Sequence, residues 1–114
     1  MKNYLMLFRG GDSNIAEMSP ENQQAHMSKW MAWMGALSES GVMVGAEPLQ
    51  GTGKTIRGTQ KVVSDGPFME GKELVGGYLI CKAVDYNAAV IISQGCPIFE
   101  FEDGSVELRE VAEM

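Results

Sequence analysis

The sequence predicts an α+β fold, a ferredoxin-like β-α-β-β-α-β plait whose antiparallel sheet carries two helices on one face. Two observations predict this order: each of two capped helices follows a strand, and further strands follow each helix. The chain has 114 residues, 45% of them hydrophobic, which is typical of one globular domain spanning residues 1–114. A third observation concerns assembly, because two of the predicted strands are apolar on both faces and helices can cover only one.

The first predicted elements are a strand and a long helix. Tyr4 to Phe8 are apolar at every position, which predicts a strand buried on both faces, and Gly10 to Asn14 form a loop. Ser19-Pro20-Glu21 reads as a helix start and Gly41 as its stop. At 100° per residue, one stripe of this helix is expected to face the sheet: Gln23, Met27, Trp30, Met34 and Leu37.

The middle of the chain alternates short strands with glycine-rich loops. Val42 to Val44 predict a strand that ends near Glu47, and residues 51–58 predict a flexible loop. Lys61 to Ser64 predict another strand, which the turn Asp65-Gly66-Pro67-Phe68 ends. A second apolar run, Leu74 to Ala83, contains Gly76-Gly77, and glycines inside a strand indicate a bulge or a close approach of another backbone.

The C-terminal part predicts a second helix and two closing strands. Asp85 caps a helix from Tyr86 to Gln94, with Ala88, Ala89, Ile91 and Ile92 available for packing. Ile98 to Glu102 and Val106 to Val111 are predicted as strands of a hairpin turned by Asp103-Gly104.

The strands that are apolar on both faces predict self-association. Once helices cover one face of the sheet, the other remains an exposed apolar surface of the kind that marks an interface. A second copy of the sheet would bury it. We therefore predict a homodimer in which two sheets face each other as an α/β barrel, with a cleft in each subunit beside the loop that carries Asp65.

Composition excludes several partners. Nine basic residues face fifteen acidic ones, for a formal charge of −6, and no basic cluster is present, so nucleic acid is a poor partner. No apolar run approaches the ~20 residues of a membrane span. The N-terminal stretch has no signal-peptide pattern and the two cysteines are too few for a disulfide scaffold, so we expect a cytoplasmic protein.

The segment DGPFMEGKELVGGYLICKA resembles the signature of the YCII-related family, in its DGPF branch, whose members commonly read DGPFAETKE before a strand with paired glycines. The likeness extends along the chain to MKNYLMLFRG, SPENQQAH, GVMVGAEPL and GSVELREV. It departs at MEGKE, where Gly71 stands in place of a threonine. The resemblance implies a dimeric ferredoxin-like barrel, mostly unestablished activities, and an association of some members with extracytoplasmic-function sigma factors.

Asp65 is the first candidate for a catalytic residue, because a carboxylate at a strand end beside a cleft can act as a general base or orient a ligand. The alternative is a turn aspartate that accepts bonds from local amides. Nearby residues are candidates for substrate binding, although a solvated loop explains the same charges: Phe68, Glu70, Lys72 and Glu73. Glu47 is a further candidate for the same cleft, where two carboxylates would favour acid–base chemistry; the alternative is a surface acid at a strand end.

His26 is the second catalytic candidate, since histidine is the side-chain type whose charge changes near neutral pH. The resemblance implies a histidine on the first helix paired with an aspartate, yet the position counted back from the glycine after the helix lies nearer Trp30. A dyad of His26 with Asp65 is one hypothesis, and a histidine at the edge of the core is the other.

No cofactor is predicted. Gly51 to Thr55 lack the earlier glycine of a phosphate-binding loop, and the cysteines and histidine lack metal-ligand spacing. The residues leave two functions open. One is a small cofactor-independent enzyme that performs acid–base chemistry on a small metabolite near Asp65. The alternative is a non-catalytic module that binds a small molecule or a protein such as a sigma factor.

Overall fold

The computed structural model describes residues 1–66 and 74–114, without the side chains of residues 12 and 13. Its strands are β1 Lys2–Arg9, β2 Met43–Pro48, β3 Lys54–Arg57, β4 Val62–Asp65, β5 Val75–Ala83 and β6 Ser105–Glu110. Its helices are α1 Asp12–Glu17, α2 Pro20–Glu39, α3 Tyr86–Gln94 and a 3₁₀ helix, Pro97–Glu100. None of the described helices is long and apolar enough to span a membrane.

Four strands form an antiparallel sheet in the order β2-β5-β1-β6. With α2 after β1 and α3 after β5, this is the strand order of a ferredoxin-like plait, and the predicted α+β class is confirmed. β3 and β4 form a separate two-stranded hairpin. The described elements therefore comprise a four-stranded plait and one additional hairpin.

The core lies between one face of the sheet and the helices. Tyr4, Met6 and Phe8 of β1 alternate with residues of the opposite face, and their neighbours Leu79 and Cys81 of β5 are also fully buried or nearly so. Side chains of α2 and α3 pack against this cluster, so both helices cover the same face, as predicted. The burial of these apolar side chains is the main term that stabilises the fold.

Both predicted helix caps are formed. The Ser19 hydroxyl oxygen accepts a hydrogen bond from the Asn22 amide at 3.2 Å, and an Asp85 carboxylate oxygen accepts one from the Ala88 amide at 2.9 Å. Each cap satisfies an amide that has no partner within its helix. The local sequence therefore fixes where α2 and α3 begin.

The packing face of α2 differs from the predicted stripe. Gln23 and Met27 are exposed, whereas Trp33 packs against the core beside Trp30. The rings of Trp30 and Trp33 meet Phe8 edge to face, with centroids 5.2 and 6.3 Å from it. Aromatic pairs favour such contacts. The two tryptophan rings therefore set the rotation of α2 about its axis so that their side of the helix faces Phe8.

The packing face of α3 is also narrower than predicted. Ala88, Ala89 and Ile92 pack against the core, but the Ile91 side chain is exposed. A helix of nine residues that rests on a sheet buries only the side chains on one side of its axis.

Three local predictions are wrong. The loop predicted at Gly10 to Asn14 contains the start of α1, and the loop predicted at residues 51–58 contains β3, which pairs with β4. The strand predicted at Ile98 to Glu102 is largely the 3₁₀ helix, because Pro97 has no amide hydrogen for a sheet ladder and favours a helical first turn. Asp103-Gly104 consequently does not turn a hairpin, and β6 pairs with β1 instead.

The face of the sheet away from the helices is apolar at its centre. Leu5 and Leu7 of β1 stand opposite Ile80 and Tyr78 of β5, and all four are only partly buried. The helices α2 and α3 lie on the other face, so in a single subunit these side chains meet solvent. The predicted apolar surface is therefore present, and its side chains are partly accessible.

Glycines allow the chain to approach itself closely at two places. A side chain on Gly77 would come within 3.0 Å of the Glu47 carbonyl, which confirms the close approach predicted for the paired glycines. Gly10, with φ +87°, lies against the Asp103 carbonyl, which a Cβ atom would approach to 2.0 Å. These contacts require residues without a Cβ atom.

We expect Gly10→Ala to destabilise the fold by at least about 2 kcal/mol, because it combines a left-handed backbone with a steric clash. Chemical denaturation measures this change. Gly35→Ala is the matched control, since Gly35 lies in α2 with open space around it. It should stabilise the protein by about 0.5–1 kcal/mol, and a Gly10→Ala variant as stable as wild type would contradict the contact.

Candidate functional site

His26 is the centre of the polar network with the deepest burial among the described residues. Its side chain on α2 is 4% exposed. Its Nδ1 atom lies 2.9 Å from a carboxylate oxygen of Glu100, and its Nε2 atom accepts a hydrogen bond from the Trp30 indole N–H at 2.9 Å. The ring also contacts Phe101, with centroids 4.8 Å apart. Contacts with these three residues therefore hold the imidazole in place.

The two hydrogen bonds assign the tautomer of His26. An indole N–H only donates, so Nε2 must carry a lone pair and the proton must lie on Nδ1. Nδ1–H then donates to Glu100. A doubly protonated ring would place two donors against each other at Trp30. In this arrangement His26 is neutral, and it orients the Glu100 carboxylate while both of its nitrogens are occupied.

The Glu100 carboxylate is shared between two partners. One oxygen accepts from His26, and the other accepts from the Lys29 ammonium at 2.9 Å. Hydrogen bonds from Lys29, first, and from His26 lower the pKa of Glu100 below its ordinary value, against a small opposing effect of burial. The carboxylate is thus held ionised, with a cation beside it.

The local sequence explains part of this geometry. His26, Lys29 and Trp30 lie at positions i, i+3 and i+4 of α2, so they share one side of the helix. Glu100 reaches them from the 3₁₀ helix that Pro97 begins. The residue after Glu100, Phe101, packs against Gly11, where a Cβ atom would come within 2.9 Å of the ring. The chain before α1 therefore supports the ring that contacts His26.

An open cleft of about 470 Å³ lies beside Glu100, between α2 and the 3₁₀ helix. It is lined by Lys29, Ala32, Trp33, Gly95, Cys96, Pro97, Phe99 and Glu100. A side chain on Gly95 would approach the Trp33 ring to 3.2 Å, so glycine keeps this wall open. Aromatic walls with a few charged groups are typical of sites that bind small molecules.

Cys96 in this cleft is not a nucleophile at neutral pH. Its side chain is buried, and burial raises its pKa to about 12, in spite of a hydrogen bond from the Ile98 backbone that acts the other way. The thiolate, which is the reactive form, is therefore scarce. Cys81, in the core, likewise has a raised pKa because of burial.

The structure places Asp65 away from this network. Asp65 ends β4, where its carboxylate pairs with the Lys54 ammonium across the hairpin. The two side chains are 77% and 67% exposed. Within the described ranges 1–66 and 74–114, no hydrogen bond or ion pair joins Asp65 to His26, and the carboxylate that His26 contacts is Glu100.

The other predicted site residues are dispersed. Glu47 is exposed on β2, opposite Tyr78 on β5, and among the residues that the structure describes no hydrogen bond or ion pair joins it to Asp65. Phe68, Glu70, Lys72 and Glu73, predicted to bind substrate, lie outside the described residues. Their roles stay predictions.

Four residues of the site were missed from the sequence. The spacing of His26, Lys29 and Trp30 signals a shared helix face, and it was available in the sequence. Glu100 and Phe99 gave no such signal, because they meet α2 only since the predicted strand at Ile98 is a 3₁₀ helix. Trp33 on α2 becomes a wall of the site through the same packing. A tertiary contact between elements that lie 74 residues apart has no local pattern.

Comparison with known proteins identifies the fold. A family model described as YCII-related domain matches residues 3–114, and a search of the curated proteins finds no significant match. Among solved structures, 5-chloro-2-hydroxyhydroquinone dehydrochlorinase (TftG) from Burkholderia phenoliruptrix AC1100, in complex with 2,5-dihydroxybenzoquinone, is similar, with a TM-score of 0.50 and 14% identity over 92% of this chain and 90% of that chain. At this identity the likeness shows a shared fold.

We expect the acid stability of the protein to depend on Glu100. Its pKa is lowered in the folded state, so its stabilising contribution is complete above the ordinary carboxyl range and is lost as the pH falls through the lowered value. Urea unfolding from about pH 7 to about pH 3 measures this loss, and Glu100→Gln should remove that part of the slope. The exposed Glu113→Gln is the control; an unchanged slope in Glu100→Gln would contradict the network.

Proposed function

Because the chain belongs to the YCII-related domain family, we propose that it is a small-molecule enzyme that needs no cofactor and transfers protons on oxygen-substituted ring compounds in the cleft beside Glu100. The observation that carries this proposal is the Glu100 carboxylate, held between buried His26 and Lys29 at the cleft of about 470 Å³. Trp33 and Phe99 supply apolar walls for a planar ring.

Lys29 is proposed as the group that binds oxygen of the substrate. Its ammonium donates one hydrogen bond to Glu100 and has two further N–H groups. The side chain is 60% exposed beside the cleft, so these donors are accessible to an oxygen that gains negative charge. Such donors stabilise an oxyanion as it forms.

Glu100 is proposed as the proton acceptor. An acidic C–H or O–H bond of the ring compound breaks, the proton passes to the carboxylate, and the electron pair moves to a ring oxygen that Lys29 holds. Return of the proton to another ring position completes a tautomerisation without any co-reactant. A carboxylate with a lowered pKa is a weak base, so the substrate proton must be unusually acidic, as in hydroxyquinones and related vinylogous acids.

The structural neighbour supports the same class of compound. TftG is named for its action on a chlorinated hydroxyhydroquinone and holds 2,5-dihydroxybenzoquinone. Both are planar rings with several oxygens. This support concerns the fold and the chemistry of the ligand. The predicted roles of Asp65 and Glu47 in acid–base catalysis remain predictions.

A second function, binding without turnover, is favoured by one observation. Both nitrogens of His26 are engaged within the chain, so the imidazole is not free to exchange protons with a ligand. In that case the cleft binds the ring compound and Glu100 only orients Lys29. Docking on a sigma factor and the DGPF branch of the family remain predictions from the sequence resemblance.

We expect 2,5-dihydroxybenzoquinone and related hydroxyquinones to quench tryptophan fluorescence on binding, and unsymmetrical hydroxyquinones, whose tautomers differ, to be turned over. Lys29→Met should weaken binding at least about tenfold, because it removes a charged donor. Lys2→Met is the matched control, since Lys2 is an exposed lysine on β1 that also pairs with a glutamate, Glu110. Glu100→Gln should lower kcat at least about hundredfold, and the wild-type rate should fall as the pH drops through the lowered pKa of Glu100.

The outcomes separate the two functions. Binding without turnover in the wild type selects the binding protein, and the absence of binding across the compound class overturns both. His26→Gln tests positioning, because an amide can accept from Trp30 and donate to Glu100, whereas His26→Leu can do neither. Turnover retained in His26→Gln and lost in His26→Leu, with both variants folded, supports a positioning role. Loss in both would make His26 itself a proton carrier.

We also propose the homodimeric barrel that the sequence predicts. The apolar centre of the open sheet face, formed by Leu5, Leu7, Tyr78 and Ile80, supports it because two such faces would bury each other. Charged residues surround this centre, among them the Arg9–Glu107 ion pair with N–O distance 2.7 Å. An apolar centre with a charged rim is typical of a protein interface.

Native mass spectrometry of the purified protein should therefore show a dimer. Leu5→Lys, which places a positive charge at the centre of the open face opposite Arg109 on β6, should convert it to a monomer, because an unpaired buried charge is strongly unfavourable. Val44→Lys serves as the control, since Val44 is an exposed apolar residue on the sheet edge. A wild-type monomer at micromolar concentration would overturn the barrel.

A further inference from the structure

We propose that the β3–β4 hairpin is an arm that packs onto a second copy of the chain in the homodimer proposed above. This inference rests on that dimer, and it assigns a role to residues 54–65, which among the described strands form no ladder with the four-stranded sheet. The contact surface of the arm uses both faces of the hairpin. One face carries Ile56 and Val63, and the opposite face carries Val62.

The hairpin exposes apolar side chains that lack cover in the described part of one subunit. Ile56, Val62 and Val63 are 64%, 62% and 60% exposed, and Ile56 stands opposite Val63 in the hairpin. An isolated two-stranded hairpin is at best marginally stable in water. A surface that covers these side chains would stabilise it.

The dimensions of the subunit agree with a projecting arm. The Cα radius of gyration is 15.7 Å, whereas a compact chain of this length has about 13 Å. The molecule extends over 45 × 44 × 21 Å, which is flat for its mass. The hairpin forms a sheet of its own and shares no ladder with the four-stranded sheet.

The area of the open sheet face argues that the dimer needs additional contact. Four strands spaced about 4.8 Å apart and about seven residues long present roughly 450 Å² of planar face. A standard interface buries about 800 Å² of each partner. The apolar hairpin is a surface that can supply the difference.

Charge complementarity favours a second copy over other partners. Residues 54–65 contain Lys54, Arg57 and Lys61 against Asp65, which gives them a formal charge of +2. The whole chain has a formal charge of −6, so the residues outside the arm carry −8. A basic arm is attracted to the acidic body of another subunit of the same protein. The arm also contains Asp65, so packing on the partner would place that carboxylate against the other subunit.

Site-specific photocrosslinking tests the arm. Ile56 is replaced by p-benzoylphenylalanine in the full-length protein, and the dimer is irradiated and analysed by mass spectrometry of its peptides. We expect a covalent dimer joined from position 56. The same replacement at Ile91, an equally exposed apolar residue on α3, should give far less covalent dimer.

Two further variants provide a quantitative test. Ile56→Ser with Val63→Ser should raise the dimer dissociation constant at least tenfold, whereas Ile91→Ser should change it less than twofold. Arg57→Glu should weaken the dimer more at low salt than at high salt. Circular dichroism of each variant verifies that the plait remains folded.

The outcomes distinguish this inference from the proposed function. A dimer whose position 56 crosslinks only within its own subunit, or not at all, overturns the arm and leaves the barrel intact. A wild-type monomer overturns both the arm and the barrel. Failure of the ring compounds to bind, together with a crosslinked dimer, overturns the proposed activity and supports the arm.

Discussion

The described site depends on one buried contact, the imidazole of His26 between the Trp30 indole and the Glu100 carboxylate. A buried polar ring is tolerated only when its nitrogens are hydrogen-bonded, and here the two partners come from α2 and from the 3₁₀ helix. The contact therefore ties the helix layer to the chain that leads into β6. It also fixes Glu100, which in turn holds Lys29 at the cleft.

The aromatic cluster around this contact joins the site to the core. Trp30 and Trp33 pack on Phe8 of the central strand, and Trp33 is at the same time a wall of the cleft. The cleft wall is thus supported by the buried core of the described structure. A site supported in this way retains its geometry without a ligand, which lowers the entropic cost of binding.

Much of the fold was predictable because its signals are local. Ser19 and Asp85 start their helices with a hydrogen bond to an amide three residues on, and the two-sided apolar pattern of β1 and β5 predicts the open face. The error at Ile98 came from reading an apolar run as a strand, although Pro97 favoured a helical turn. The error at Met27 came from assuming an ideal stripe, whereas the tryptophan rings set the rotation of α2.

The sequence by itself determined the order of the plait strands and of its two packing helices, because caps, glycines and apolar periodicity act over a few residues. It also presented His26 and Asp65 as candidates. Only the tertiary structure decided that His26 meets Glu100 and that Asp65 lies on a hairpin with Lys54. These pairings depend on how segments that are distant in sequence pack together, and the spacing of residues along the chain does not predict that packing.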